Sequence, residues 1–94
     1  MAISMALTDQ DPSVRMQAAR DLGMLEGERA ALGGVLLSDP DPQVRREAAR
    51  ALGSVQSEEA RWSLEAAALD ADQSVRRSVA SALAKWAKRP AATQ

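Results

Sequence analysis

Residues 41–53 read DPQVRREAARALG, and that run decides the fold. Residues 11–23 (DPSVRMQAARDLG) match it 30 positions earlier, and residues 72–84 (DQSVRRSVASALA) match it 31 positions later. Val14, Val44 and Val75 mark one phase, followed by Arg15, Arg45 and Arg76, then Ala19, Ala49 and Ala80, then Leu22, Leu52 and Leu83. Self-similarity at a fixed period of this size signals stacked units, none of which can bury its apolar face alone.

Each unit reads as a helix pair. Asp11, Asp41 and Asp72 stand where a side-chain oxygen accepts the free amides of a first turn. Pro12 and Pro42 occupy the position after it, where a missing N–H costs nothing. Val44, Ala48, Ala51, Leu52 and Val55 then fall on one face, with Arg46, Glu47 and Arg50 opposite. Val75, Val79, Ala82, Leu83 and Trp86 repeat the pattern. Gly23 and Gly53 suit a helix end or a close turn.

The spacing predicts first helices over residues 12–25, 42–55 and 73–89, and second helices over 27–38 and 57–70. A half repeat over residues 1–8 precedes them, so one domain covers residues 1–89 and a flexible tail covers 90–94. Short connections force successive helices to pack antiparallel. The expected fold is all-α, a right-handed solenoid of about three helical hairpins.

Composition narrows the chemistry. The chain has 94 residues, with 12 Lys plus Arg against 13 Asp plus Glu and a net charge of −1. No global field draws it to nucleic acid or to an anionic membrane. Cys, His, Tyr and Phe are absent, which removes disulfides, thiolate and imidazole catalysis and the usual zinc ligand sets. Leu, Ile, Val and Phe total 17, but 20 alanines, near-zero net charge and the strong periodicity argue against disorder. No stretch is long and apolar enough to span a bilayer, and a cytoplasmic location follows as the default expectation.

The run Asp-Pro-x-Val-Arg-x-x-Ala-Ala-x-x-Leu-Gly, complete at residues 41–53 and nearly so at 11–23, resembles the HEAT-repeat signature, closest to the short repeats of phycobilisome lyases. The third unit departs from it: Gln73 stands for Pro, Ser78 for Glu or Gln, and Ala84 for Gly. The resemblance implies that first helices line the convex side and second helices the concave side. It also implies a structural Asp–Arg ladder between repeats, carried by Asp9, Asp39 and Asp70 with Arg15, Arg45 and Arg76. HEAT-repeat hydroxylases that bind di-iron use His-Glu pairs, which a chain without His lacks. No bilin site is marked either.

Two surfaces are candidates. On the second helix of the middle unit, Ala60, Leu64 and Ala68 face inward, Glu58, Arg61 and Glu65 form an exposed stripe, and Trp62 and Leu69 border it. Arg61, Trp62, Glu65 and Leu69 are therefore the candidate protein-binding residues of the concave groove, although indole there also suits packing between repeats. Trp86 shares a face with Val75, Val79 and Leu83 and reads as core or as a lid on the last repeat. The second surface is a basic outer strip of Arg20, Arg46, Arg50, Arg77 and Lys88, since ten of the twelve cations lie on first helices. Its rival reading is a solvated outer face, and phosphate-backbone binding normally needs a larger excess of cations.

Gly33 and Gly34 lie inside a second helix, where they permit close approach, a kink or a small pocket. Asp9-x-Asp11-x-Ser13 and Asp70-x-Asp72-x-Ser74 lack the glycine and glutamate of a calcium loop and read as caps. Glu58 and Glu59 point about 100° apart on a helix and form no acid–base dyad. The sequence thus implies no catalytic residue, no cofactor and no metal. It implies a non-catalytic scaffold for a protein partner, with a second copy able to pair at the open ends. The alternatives are an acidic or nucleic-acid partner on the outer strip and a lyase-like or chaperone subunit.

Overall fold

The computed structural model describes residues 6, 8–22, 24, 31–55 and 57–88. Five helices follow in order: α1 (Pro12–Leu22), α2 (Ala31–Ser38), α3 (Pro42–Leu52), α4 (Glu58–Ala66) and α5 (Gln73–Lys88). The half repeat at 1–8 falls almost wholly outside the described residues, as do most of 23–30 and the tail beyond Lys88.

Local chemistry starts α1, α3, α4 and α5 where the sequence places them; the expected start of α2 at residue 27 lies outside the described residues. Asp41 is extended (φ −96°, ψ 122°), and its carboxylate accepts from the Gln43 amide with Pro42 next in line. Asp11 accepts from the Ser13 amide at 2.9 Å, and Asp72 from those of Ser74 and Val75 at 2.8 and 3.1 Å. Ser57 caps α4 by accepting from the Ala60 amide, and Glu58 and Glu59 bring negative charge to that first turn.

Helix ends differ from the sequence expectation. α4 stops at Ala66, and residues 67–69 form a turn. Ala67 rather than Ala68 is consequently the buried residue after Leu64, while Ala68 is exposed. Alanine propensity favours continuing the helix, but the turn is needed to present Asp70 to the preceding repeat, and tertiary demand wins. α3 ends at Leu52, and Gly53 is right-handed at φ −62°, so a left-handed cap is not why glycine stands there. A Cβ at Gly53 would lie 3.0 Å from Ala82 Cβ and 3.2 Å from its Cα, which makes it a contact glycine.

The first helices α1, α3 and α5 stack in one layer and the second helices α2 and α4 in the other, with α3 touching all four neighbours. The slab measures 44 × 29 × 14 Å, its thin dimension suiting two helix layers. Between the layers lie Leu22, Leu32, Leu36, Leu52, Leu64, Val44, Val75 and Val79, all fully buried. Each contributes about 1.5–3 kcal/mol of burial, and alanines fill the remaining contacts. Gly33 resolves as close approach: a Cβ there would meet Ser63 Oγ of α4 at 2.5 Å. Gly34 faces open space.

Candidate functional site

The Asp and Arg of the repeat are wired across the junctions. Arg15 Nε donates to Asp39 Oδ2 at 2.9 Å and Nη2 to Oδ1 at 3.3 Å, while Nη1 donates to the main-chain oxygen of Asp9 at 2.7 Å. Arg45 repeats this with Asp70 at 2.9 and 3.0 Å and with the Asp39 carbonyl at 2.7 Å. Each guanidinium therefore reads its own repeat through a carbonyl and the next through a carboxylate, in the bidentate geometry that Arg favours. The same carboxylates accept the amides two residues on, Asp39 from Asp41 and Asp70 from Asp72, both at 2.9 Å. Asp9 does likewise for Asp11. Arg45 holds the Asp70 carboxyl below its ordinary value of 3.8, against an opposing effect of burial. Arg76 donates to the Asp70 carbonyl at 2.6 Å and meets no carboxylate among the described residues.

On the outer layer the structure corrects the expected strip. Glu47 does not lie on an open face; it is buried between α1 and α3. Arg20 donates to it through Nε and Nη2, each at 3.3 Å, and Arg50 donates through Nε at 3.0 Å and again through Nη2. Burial raises the Glu47 pKa, but the hydrogen bonds from Arg20 and Arg50 outweigh it and leave the net value lowered. Two of the five strip residues are thereby partly neutralised. Arg46 and Arg77 are exposed and form no ion pair among the described residues. The side chain of Lys88 lies outside the described residues.

Sequence reasoning missed Glu47 as a buried clamp, although a glutamate three residues before an arginine on one helix was a signal for it. It also passed over Arg50, Arg77, Ser78, Ser81, Ala82 and Lys85 as the lining of one groove between α3 and α5, of about 230 Å³.

On the second-helix layer the large apolar side chains are open. Trp62, on α4, is 59% exposed, and Leu69, in the turn that follows α4, is 91% exposed. Leu37, at the end of α2, is 51% exposed. Glu65 is exposed, with no ion pair among the described residues. Arg61 is more constrained, because it pairs with Glu58 at 2.6 Å and its guanidinium lies 5.7 Å from the Trp86 ring centroid. Trp86 is half-buried and packs against the core, so Arg61 and Trp86 join α4 to α5. Trp62 and Leu69 are left to face outward.

Among the described residues no group of three or more Asp, Glu, His or Cys could hold a metal ion, and no helix is long and apolar enough to cross a membrane.

A two-layer helical stack with an Arg–Asp ladder defines a class of α-solenoid. The model of the HEAT-repeat family matches residues 30–94, more than half of the chain, and the chain belongs to that family. Among solved structures, human deoxyhypusine hydroxylase in complex with glycerol is similar, at 27% identity and a TM-score of 0.82. The likeness covers 93% of this chain and 31% of that one, so the chain spans about a third of that enzyme's length. No functionally curated protein matches the sequence.

Proposed function

We propose that the chain is a non-catalytic scaffold that docks a protein partner on its second-helix layer. The observation that carries this reading is the exposure of Trp62 on α4, with Leu69 exposed in the turn that follows, in a chain with two Trp in all. Leaving an indole on α4 and a leucine in the turn after it in water forgoes about 1.5–3 kcal/mol of burial each, which a partner surface recovers. Tryptophan is the residue that most often anchors such contacts, and Glu65 and the Arg61–Glu58 pair supply a polar rim. HEAT repeats generally mediate protein interactions, and the two-layer fold gives this surface a rigid backing. A cytoplasmic location is the default expectation, and a chain without Cys is compatible with it.

Affinity capture with and without nuclease, comparing the natural chain with Trp62→Ala, tests the proposal. A protein retained after nuclease and lost in the variant supports it. Recovery of nucleic acid alone, undiminished in Trp62→Ala, sinks it. The outer strip is the weaker surface for such a polyanion, because Glu47 already occupies Arg20 and Arg50.

A further inference from the structure

The repeat supplies its own comparison for the groove between α3 and α5. At the junction of the first two repeats, the Glu47 carboxylate fills the space between first helices, held by Arg20 from α1 and Arg50 from α3. At the next junction Arg50 stands in the register of Arg20, Ser78 in that of Glu47, and Ser81 in that of Arg50. The carboxylate is missing from the sequence there, and a groove of about 230 Å³ opens in its place. Cations surround it: Arg77, in the register of Arg46, Lys85, in that of Ser54, and Arg50. Nη1 of Arg50 makes no hydrogen bond among the described residues, and neither Arg77 nor Lys85 has an ion pair among them. No acid lines the groove, and two hydroxyls do.

We infer that this groove binds a single phosphoryl group, carried on a phosphorylated side chain of a peptide partner. The guanidinium fork of Arg77, the Lys85 ammonium, two hydroxyls and the one Arg50 nitrogen that Glu47 does not hold match the several acceptor oxygens and near-double charge of a phosphomonoester. A nucleic acid fits less well: the cations converge on one pocket instead of tracking a backbone, and the chain as a whole carries a net charge of −1. The site lies on the layer opposite Trp62, so it stands or falls separately from the docking surface proposed above.

The test is a backbone-amide NMR titration of the full chain with inorganic phosphate, then with a phosphoserine peptide, its unphosphorylated form and a short single-stranded DNA. Expected are saturable shifts at Arg77, Ser78 and Ser81 with phosphate and with the phosphopeptide, and none with the unphosphorylated peptide. Ser78→Glu places a carboxylate where Glu47 has one and is expected to weaken phosphate binding about tenfold or more. Arg77→Ala, a change on an exposed position, gives the same direction and decides the matter if Ser78→Glu folds poorly. Absence of phosphate shifts, or shifts unchanged in Arg77→Ala, overturns the inference. Tighter binding of the DNA than of the phosphopeptide, with a steep salt slope, overturns it in favour of nucleic acid.

Discussion

Replacing Arg45 and Arg76 in turn by Met isolates the worth of one rung of the ladder. Methionine keeps an apolar stem and removes the guanidinium. Arg45→Met deletes two bonds to the Asp70 carboxylate and one to the Asp39 carbonyl, with the two side chains only 15% and 11% exposed. Asp70 keeps the Asp72 amide but loses its counter-charge. Charge-assisted bonds contribute about 1.5–3 kcal/mol, so the whole change should cost about 2–4 kcal/mol. Arg76→Met removes one bond to a carbonyl at an exposed position, and about 0.5–1.5 kcal/mol is expected. A domain of this size loses about 5 °C of Tm per kcal/mol, which separates the variants by about 10 °C at the centres of the two ranges. Urea and thermal unfolding followed by circular dichroism give both numbers. Equal losses for the two variants would refute the idea that the carboxylate across the junction, rather than the carbonyl within the repeat, locks neighbouring units.

Other outcomes follow from the same geometry. Gly53→Ala should destabilise by about 1–3 kcal/mol despite better helix propensity, because its Cβ meets Ala82, whereas Gly34→Ala enters open space and should stabilise by about 0.5–1 kcal/mol; denaturant midpoints check both. Trp62→Ala should leave Tm nearly unchanged, while Trp86→Ala, packed on the core and under Arg61, should cost about 2–4 kcal/mol. Asp70 and Glu47 have folded-state pKa values below their ordinary values of 3.8 and 4.5. Their contribution is therefore complete above those values and disappears as pH falls through the lower folded ones. Unfolding curves should show stability falling below about pH 4.5, with Glu47→Gln flattening part of that fall.

The repeat register, the caps and the ladder residues were legible because each rests on residue type at a fixed spacing. Their wiring was not. Arg15 and Asp9 are six apart in the chain, yet the Arg15 fork closes on Asp39, 24 residues on, and takes only the carbonyl of Asp9. That choice depends on how repeats stack, which spacing does not encode. Glu47 misled the periodicity for a related reason: its side chain lies off the apolar face of α3, but α1 covers it. The end of α4 was lost to propensity, since three alanines in a row read as helix while the ladder requires a turn before Asp70. Trp62 was legible as a border residue, and the accessible surface places it firmly in water.

The two contact glycines lie in opposite layers, Gly33 where α2 meets α4 and Gly53 where α3 meets α5. A methyl at 33 meets the Ser63 hydroxyl, which can rotate away, whereas a methyl at 53 meets the Cβ and the main chain of Ala82, which cannot. With layers about 10 Å apart, opening the first layer there by a few tenths of an ångström tilts successive repeats by about 2°. The hydrogen at 53 thus acts as a setscrew on the curvature of the stack, and a longer array built from such units would multiply the error repeat by repeat.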